Sequence, residues 1–140
     1  MNTRSALRSR LNVGTEAQLH QMVCNYIKMQ YPDVMFRTDF AAGIKMTMGQ
    51  ASKHRALQSN RAWPDLFIAE PSGGFYGLFI ELKREGTRVY LKDGKTLTAD
   101  KHIREQMEVL QHLRSKGYWA SMCVGFDEAK TVINAYFKIA

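Results

Sequence analysis

The sequence has few of the residues that cross-link or anchor a chain. Among its 140 residues there are only two cysteines, Cys24 and Cys123, and neither has a partner at a metal-type spacing. Two cysteines on separate apolar segments favour a reduced, cytoplasmic protein over a disulfide-stabilised secreted one. No apolar run approaches the roughly 20 residues that span a bilayer, so we expect no membrane partner. The basic start, residues 1–13, lacks the apolar segment of a secretory signal, which leaves a mitochondrial-type presequence as the alternative.

Acidic residues are also scarce relative to basic ones. Asp and Glu number 13 against 20 Lys and Arg, which gives a formal net charge of +7 at pH 7. Such an excess favours a polyanionic partner, with nucleic acid ahead of an anionic membrane surface. The length and the 45% of hydrophobic residues suit a single globular domain over residues 1–140.

Two apolar segments joined by a turn form the most informative stretch. Asp65–Ala69 and Phe75–Lys83 are predicted strands of a hairpin, because Glu70–Gly74 between them contains a proline and two glycines. Side chains alternate along a strand, so Glu81 and Lys83 should share one face of the hairpin.

The pairing register decides whether a second carboxylate joins them. If Ala69 pairs with Phe75, Asp65 lies opposite Phe79 and becomes a diagonal neighbour of Glu81, whereas a slip of one residue would separate the two acids. Two carboxylates on an apolar hairpin are costly to bury without a partner. Mg²⁺ is such a partner, since it binds one or two carboxylates and completes its shell with water and substrate phosphate. The alternative is an ordinary solvated hairpin end.

Pro64-Asp65, followed after a hairpin by Glu81-Leu82-Lys83, resembles the motif of the PD-(D/E)xK nuclease superfamily. Within that superfamily the chain most resembles, over nearly its whole length, the VRR-NUC family of small replication and repair nucleases. The resemblance implies an α/β protein with a three-layer α/β/α, restriction-endonuclease-like fold around a central mixed β-sheet. It also implies an endonuclease that hydrolyses DNA with Mg²⁺ or Mn²⁺ as cofactor.

The resemblance implies roles for individual residues. Asp65 and Glu81 would hold the metal together with the main-chain carbonyl of Leu82, and Lys83 would position or activate the attacking water. Glu16, in the first turn of a predicted helix, would be a further catalytic and metal-binding carboxylate. The other explanation for Glu16 is that it complements the dipole at the helix N-terminus.

A glutamine interrupts the apolar stripe of a later predicted helix. This helix should be capped by Thr98 and run to about Lys116, with Gln106 in the middle of its buried face. A buried amide must find a hydrogen-bond partner. The VRR-NUC pattern has a glutamine here, so the resemblance implies that Gln106 orients Lys83, the water or a phosphate. The alternative is a core glutamine bonded to loop main chain.

The remaining elements follow from periodicity. A first helix should run from Thr15 to about Gln30, and a last helix should be capped by Asp127. Apolar segments predict two more strands, Val34–Phe40 and Tyr118–Gly125. The order helix, three strands, helix, strand, helix fits the three-layer fold that the resemblance implies.

Basic residues concentrate in segments that we expect to contact nucleic acid. Residues 43–62 form a basic insertion without sustained periodicity, with a short solvated helix near 51–57 as the alternative, and further basic residues follow the second hairpin strand. The predicted contacts are Lys45, Lys53, Arg55, Arg61, Arg84 and Arg88. The N-terminal arm, residues 1–13, is either another such contact or a frayed terminus.

The resemblance also bears on substrate and assembly. Stand-alone VRR-NUC proteins resemble junction-resolving enzymes that act as dimers, which implies a homodimer cutting branched DNA such as a four-way junction. The apolar residues Tyr136, Phe137 and Ile139 suit a dimer interface or the core equally. Two alternatives stay open, a non-catalytic nucleic-acid-binding module and a sequence-specific restriction-type nuclease, and the residues do not distinguish DNA from RNA.

Overall fold

A four-stranded mixed sheet lies at the centre of the protein. The computed structural model describes residues 15–39 and 46–139. Within these ranges the elements are α1 (Glu16–Gln30), β1 (Phe36–Thr38), α2 (Met48–Ala56), β2 (Leu66–Ile68), β3 (Leu78–Lys83), α3 (Lys101–Ser115), β4 (Trp119–Val124) and α4 (Gly125–Lys138). The strands are arranged as β1-β2-β3-β4; β1 pairs with β2 and β2 with β3 in antiparallel fashion, and β4 is parallel to β3. The predicted mixed sheet is therefore confirmed, and α2 lies in the basic insertion.

Alternation along the central strands creates a core on each face of the sheet. On one face, Ile80 packs with Ile27 of α1 and Ile133 of α4 in one apolar cluster. On the other face, Phe79 packs with Leu110 of α3 in a second cluster. Because β3 is covered on both faces, five of its six residues are buried. The result is the predicted α/β/α layering.

The hairpin register differs from the predicted one by two residues. Leu66 pairs with Ile80, so the same register places Asp65 opposite Glu81, where the prediction had Phe79. The residues nearest the turn bond elsewhere: the Ala69 N–H donates to the Met35 carbonyl across to β1 and does not pair with Phe75. An even shift leaves every side chain on its predicted face, so the two acids converge more closely than predicted.

The predicted start of α1 is confirmed, whereas two later caps are wrong. The Thr15 hydroxyl accepts a hydrogen bond from the Gln18 N–H, and the helix ends at Gln30 as expected. α3 is capped by Asp100, whose side chain accepts a hydrogen bond from the Ile103 N–H, while the Thr98 N–H is bonded to the Val89 carbonyl in the preceding loop. α4 begins at Gly125 without a side-chain cap, so Asp127 lies inside its first turn.

The end of α4 holds the tip of the hairpin. Tyr136 is fully buried, and its hydroxyl donates to the Glu70 carbonyl. The Ser72 hydroxyl lies 2.7 Å from the main-chain carbonyl oxygens of Tyr136 and of Ile139 and donates its single proton between them. Tyr136 therefore belongs to the core, while Phe137 and Ile139 are half-buried.

Some predictions fall on other parts of the chain. The arm, residues 1–13, and Lys45 lie outside the described residues, as does Phe40 at the end of the predicted first strand. In the ranges that are described, no helix has the length and apolar character to cross a membrane.

Candidate active site

The predicted motif residues meet at one end of the hairpin. Asp65 immediately precedes β2, and Glu81, Leu82 and Lys83 form the last half of β3. The Leu82 N–H donates to Asp65 Oδ2 at 2.9 Å, which fixes the Asp65 carboxylate against the neighbouring strand. The sequence produces this arrangement because β2 begins only after Pro64, whose missing N–H suits a strand start.

Glu81 is the most deeply placed charged group of the site. The residue is 2% exposed, and its Oε1 accepts a hydrogen bond from Gln106 Nε2 at 2.8 Å. Lys83 Nζ lies 3.8 Å from the same oxygen. The other carboxylate oxygen, Oε2, is buried without a hydrogen-bond partner. Glu81 Oε1 is thus held by the protein, whereas the buried Oε2 has no donor among the described residues.

Burial raises the pKa of Glu81 well above its ordinary value, and the neighbouring Asp65 carboxyl raises it further, through its negative charge and through the hydrogen bond that the two groups can share when Glu81 is protonated. The Lys83 ammonium opposes this shift, and the Glu16 charge adds to it. The two carboxylates therefore repel each other when both are ionised, and a cation between them would relieve the repulsion.

Gln106 lies where the apolar stripe of α3 predicts, facing the sheet and buried. Its Nε2 donates to Glu81 rather than to loop main chain. Its Oε1 is buried without a hydrogen-bond partner. Gln106 therefore orients a predicted metal ligand and presents a second unsatisfied oxygen at the site.

The first turns of α1 contribute two residues, one of which the sequence did not indicate. Glu16 is exposed, yet close enough for its charge to act on Glu81. His20, one turn later, is buried, and its Nε2 lies 3.8 Å from Asp65 Oδ2. The only signal for His20 is its position four residues after Glu16, which puts both on one helix face beside Leu19.

One solved structure, described as a "VRR_NUC domain protein", matches this chain with a TM-score of 0.66, covering 90% of each chain at 24% identity. The chain has the VRR-NUC fold. No family model and no curated protein matches the sequence. The predicted fold class is confirmed, and the predicted resemblance to the VRR-NUC family is supported by the fold. At this identity the likeness concerns the fold alone.

The acidic end of the VRR-NUC fold in this protein suits a divalent cation bound through oxygen. Among the described residues, no three His, Cys, Asp or Glu side chains form a ready-made metal-binding group. Asp65 and Glu81 would therefore need water, substrate or main-chain oxygens, which is the binding mode of Mg²⁺ rather than of structural zinc. The Leu82 carbonyl is available for this, because the N–H and C=O of a strand residue point to the same edge and the Leu82 N–H meets Asp65. The unsatisfied oxygens of Glu81 and Gln106 fit the same ligand.

The predicted nucleic-acid contacts lie on the surface of this VRR-NUC fold. Lys53 and Arg55 on α2, and Arg84 and Arg88 after β3, are exposed. Arg61 is exposed but paired: its guanidinium donates two hydrogen bonds to Glu105, at 2.7 and 3.2 Å. That bond lowers the pKa of Glu105. Arg61 thus joins the basic insertion to α3, in addition to any contact with phosphate.

Proposed function

We propose that the protein is a metal-dependent nuclease that hydrolyses phosphodiester bonds in DNA. The observation that carries the proposal is the buried Glu81 carboxylate beside Asp65, with Lys83 at 3.8 Å and one oxygen unsatisfied. A structural ion pair would satisfy both carboxylate oxygens, because a buried unpaired acceptor destabilises the fold. A buried carboxyl group whose pKa is raised by burial and by a neighbouring carboxyl group is typical of a functional site.

In this proposal each residue has a distinct role. Asp65 and Glu81, with the Leu82 carbonyl, hold Mg²⁺ or Mn²⁺, and Glu16 assists from α1. Such an ion supplies Lewis acidity at the phosphate and lowers the pKa of water. Lys83 positions the attacking water and offsets the negative charge that develops on the phosphate.

Gln106 acts through Glu81 in this scheme. Its Nε2 donates to Glu81 Oε1, so the rotation of the Glu81 carboxylate is fixed and Oε2 keeps its direction. Partners of this kind orient metal ligands and tune their affinity. Gln106 Oε1 remains available to hold a water in the site.

The proposed substrate is branched DNA, cut by a homodimer. The net charge of +7 and the exposed basic residues of α2 and of the segment after β3 support a nucleic-acid partner. A two-fold protein dimer would match the symmetry of a four-way junction and cut its strands symmetrically. A repair role would follow from that substrate.

The test is cleavage of a labelled four-way junction, a flap and a plain duplex, each with Mg²⁺, Mn²⁺ or EDTA. We expect cleavage only with metal, and a fall of at least about 100-fold in Lys83→Ala, in the range for loss of one group that stabilises charge in the transition state. Lys116→Ala, which removes an exposed lysine at the end of α3, is the matched control and should cut like the native protein.

The substrates separate the finer parts of the proposal. Symmetric cutting of the junction alone supports a junction-resolving enzyme, whereas equal cutting of all three keeps the nuclease and discards the junction. Discrete fragments from plasmid DNA would indicate sequence specificity. Tight binding without cleavage under every condition would contradict the nuclease and favour a non-catalytic binding module.

A further inference from the structure

A large cavity adjoins the proposed metal site on the α3 face of the sheet. Its volume is about 990 Å³, and residues of α2, of the segment before β2 and of the sheet line it. One of these residues is Pro64, which directly precedes the proposed metal ligand Asp65 in the chain. This volume lies in the upper part of the range for sites that enclose a small organic group. We refer to it as the aromatic cavity.

Aromatic rings form one wall of the aromatic cavity. Phe67 and Phe79 are stacked with ring centroids 4.5 Å apart, and Tyr118 meets Phe79 edge-on at 5.1 Å. Trp63 lies 6.0 Å from Phe79, and 38% of the Trp63 surface is exposed. Its indole N–H donates to Ser59 Oγ at 3.3 Å, which fixes the ring plane. The wall is thus a preformed stacking surface that a flat ligand can reach.

The rest of the lining mixes polar, apolar and cationic residues, and one of the cationic residues, Arg37, lies beside Phe67 on the sheet. Arg37 of β1 and Lys53 of α2 line the cavity and are exposed. Among the described residues that line it, the one carboxylate is that of Asp39, which lies 3.5 Å from His54 Nε2. Helix α2 has no buried residue, so the described residues form no apolar core that fills the space between α2 and the sheet. A ligand with a flat apolar part and a negative charge fits the aromatic rings together with Arg37 and Lys53.

We propose that the aromatic cavity binds the base of an unpaired nucleotide next to the scissile phosphate. The base stacks on Trp63, and the flanking phosphates meet Arg37 and Lys53. This inference rests on the proposed nuclease function and adds a substrate class to it: DNA with an unpaired nucleotide beside the cut. A paired base would first have to leave the duplex, at the cost of unpairing and unstacking, so bulged, gapped or branched DNA binds better than plain duplex.

The expected effect can be measured as a change in affinity. Stacking of one base on an aromatic side chain corresponds to a factor of about 5 to 150 in affinity. Loss of a phosphate contact weakens binding regardless of the base, because the contact carries no information about it. Trp63 and Lys53 variants should therefore respond differently when the base alone is removed from the DNA.

The experiment is a binding cycle in EDTA, which prevents metal-dependent cleavage. The first duplex carries a single unpaired 2-aminopurine, a base whose fluorescence falls when it stacks. A second, otherwise identical duplex carries an abasic residue at the same position. We expect quenching on binding, and Trp63→Ala should bind the first duplex at least about fivefold more weakly than native protein does. On the abasic duplex the loss should shrink to less than about twofold. Trp63→Phe should be intermediate, and Lys53→Ala should weaken both duplexes equally.

Two results would overturn the nucleotide pocket. One is unchanged 2-aminopurine fluorescence on binding; the other is an equal loss by Trp63→Ala on both duplexes. Trp63→Phe, which keeps an aromatic ring, guards against a folding defect in the alanine variant. These binding measurements require no cleavage, so they test nucleotide binding in the aromatic cavity independently of the proposed nuclease activity. Cleavage of the same duplexes with Mg²⁺ then tests the proposed function separately.

Discussion

Replacing Glu81 by glutamine should make the metal-free protein more stable. The native residue is buried, its pKa is raised by burial and by Asp65, and one of its oxygens has no hydrogen-bond partner. Glutamine has nearly the same shape without the charge. Its carbonyl oxygen can still accept from Gln106 Nε2, and its amide N–H groups can donate to the Asp65 carboxylate. The substitution thus converts a repulsive contact into a hydrogen bond.

The magnitude follows from the contact that is repaired. Relieving an unsatisfied buried polar group corresponds to about 1–3 kcal/mol in the free energy of unfolding. For a chain of this length that corresponds to a rise in Tm of roughly 3–10 °C. Glu108→Gln, an exposed substitution on α3, is the matched control and should change the free energy of unfolding by less than about 0.5 kcal/mol.

The pH dependence has a definite sign. Because the folded-state pKa of Glu81 is raised, the folded protein holds this proton more tightly than the unfolded chain does. Native stability therefore falls as pH rises from the ordinary glutamate value through the raised one, and the glutamine variant lacks this loss. The gap between the two proteins should widen with pH over that window.

Thermal unfolding in EDTA between pH 4 and pH 9 measures both effects. Added Mg²⁺ should then stabilise the native protein and leave the Glu81→Gln variant nearly unchanged, because a ligand stabilises only the state that binds it. A variant that is less stable than native protein in EDTA at high pH would refute the reasoning. So would the same pH dependence in both proteins.

Three further predictions concern the fold and the assembly. Gly117 has a φ of +96°, and an added Cβ would lie 2.6 Å from the Tyr76 ring. Gly117→Ala should therefore lower the free energy of unfolding, measured by denaturant titration, by about 1–3 kcal/mol. An unchanged denaturation midpoint would contradict this. Burial raises the pKa of the Cys123 thiol to about 12. A thiol reagent at pH 8 should therefore modify Cys24 first and Cys123 only when the protein unfolds. Rapid modification of Cys123 in the folded protein would contradict its burial. Sedimentation at micromolar concentration should show a dimer of the 16.0 kDa chain, and a monomer alone would exclude the homodimer.

The hairpin illustrates how far the sequence predicts the site. Alternation along β3 places Glu81 and Lys83 on one face whatever the register, and Asp65 stays on that face as long as the register shifts by an even number of residues. The predicted register was wrong by two residues, because Leu66 pairs with Ile80 and not with Leu78. The alternation pattern of the strands therefore predicted that Asp65 and Glu81 converge. The distance between them depends on the β2–β3 register, which the local sequence did not determine.

Features that depend on tertiary packing were less accessible. His20 looks like a polar residue at the edge of the α1 stripe, and it is buried only because Asp65 and the sheet end lie against it. The aromatic cavity likewise joins Trp63, Phe67 and Tyr118 from separate parts of the chain. Gln106 was easier to find, since an amide in the middle of an apolar stripe stands out from its neighbours.

The most direct test of the metal site is the rate at which Glu81→Gln cleaves a labelled DNA substrate in Mg²⁺, beside native protein and the Glu108→Gln control. Loss of a metal ligand removes several kcal/mol of transition-state stabilisation, so we expect the rate to fall at least about 100-fold while the control stays near native. The variant with the higher thermal stability should thus be the one that does not cut. Cleavage by Glu81→Gln at the native rate, or native cleavage that persists in EDTA, would contradict a metal-dependent site at Asp65 and Glu81.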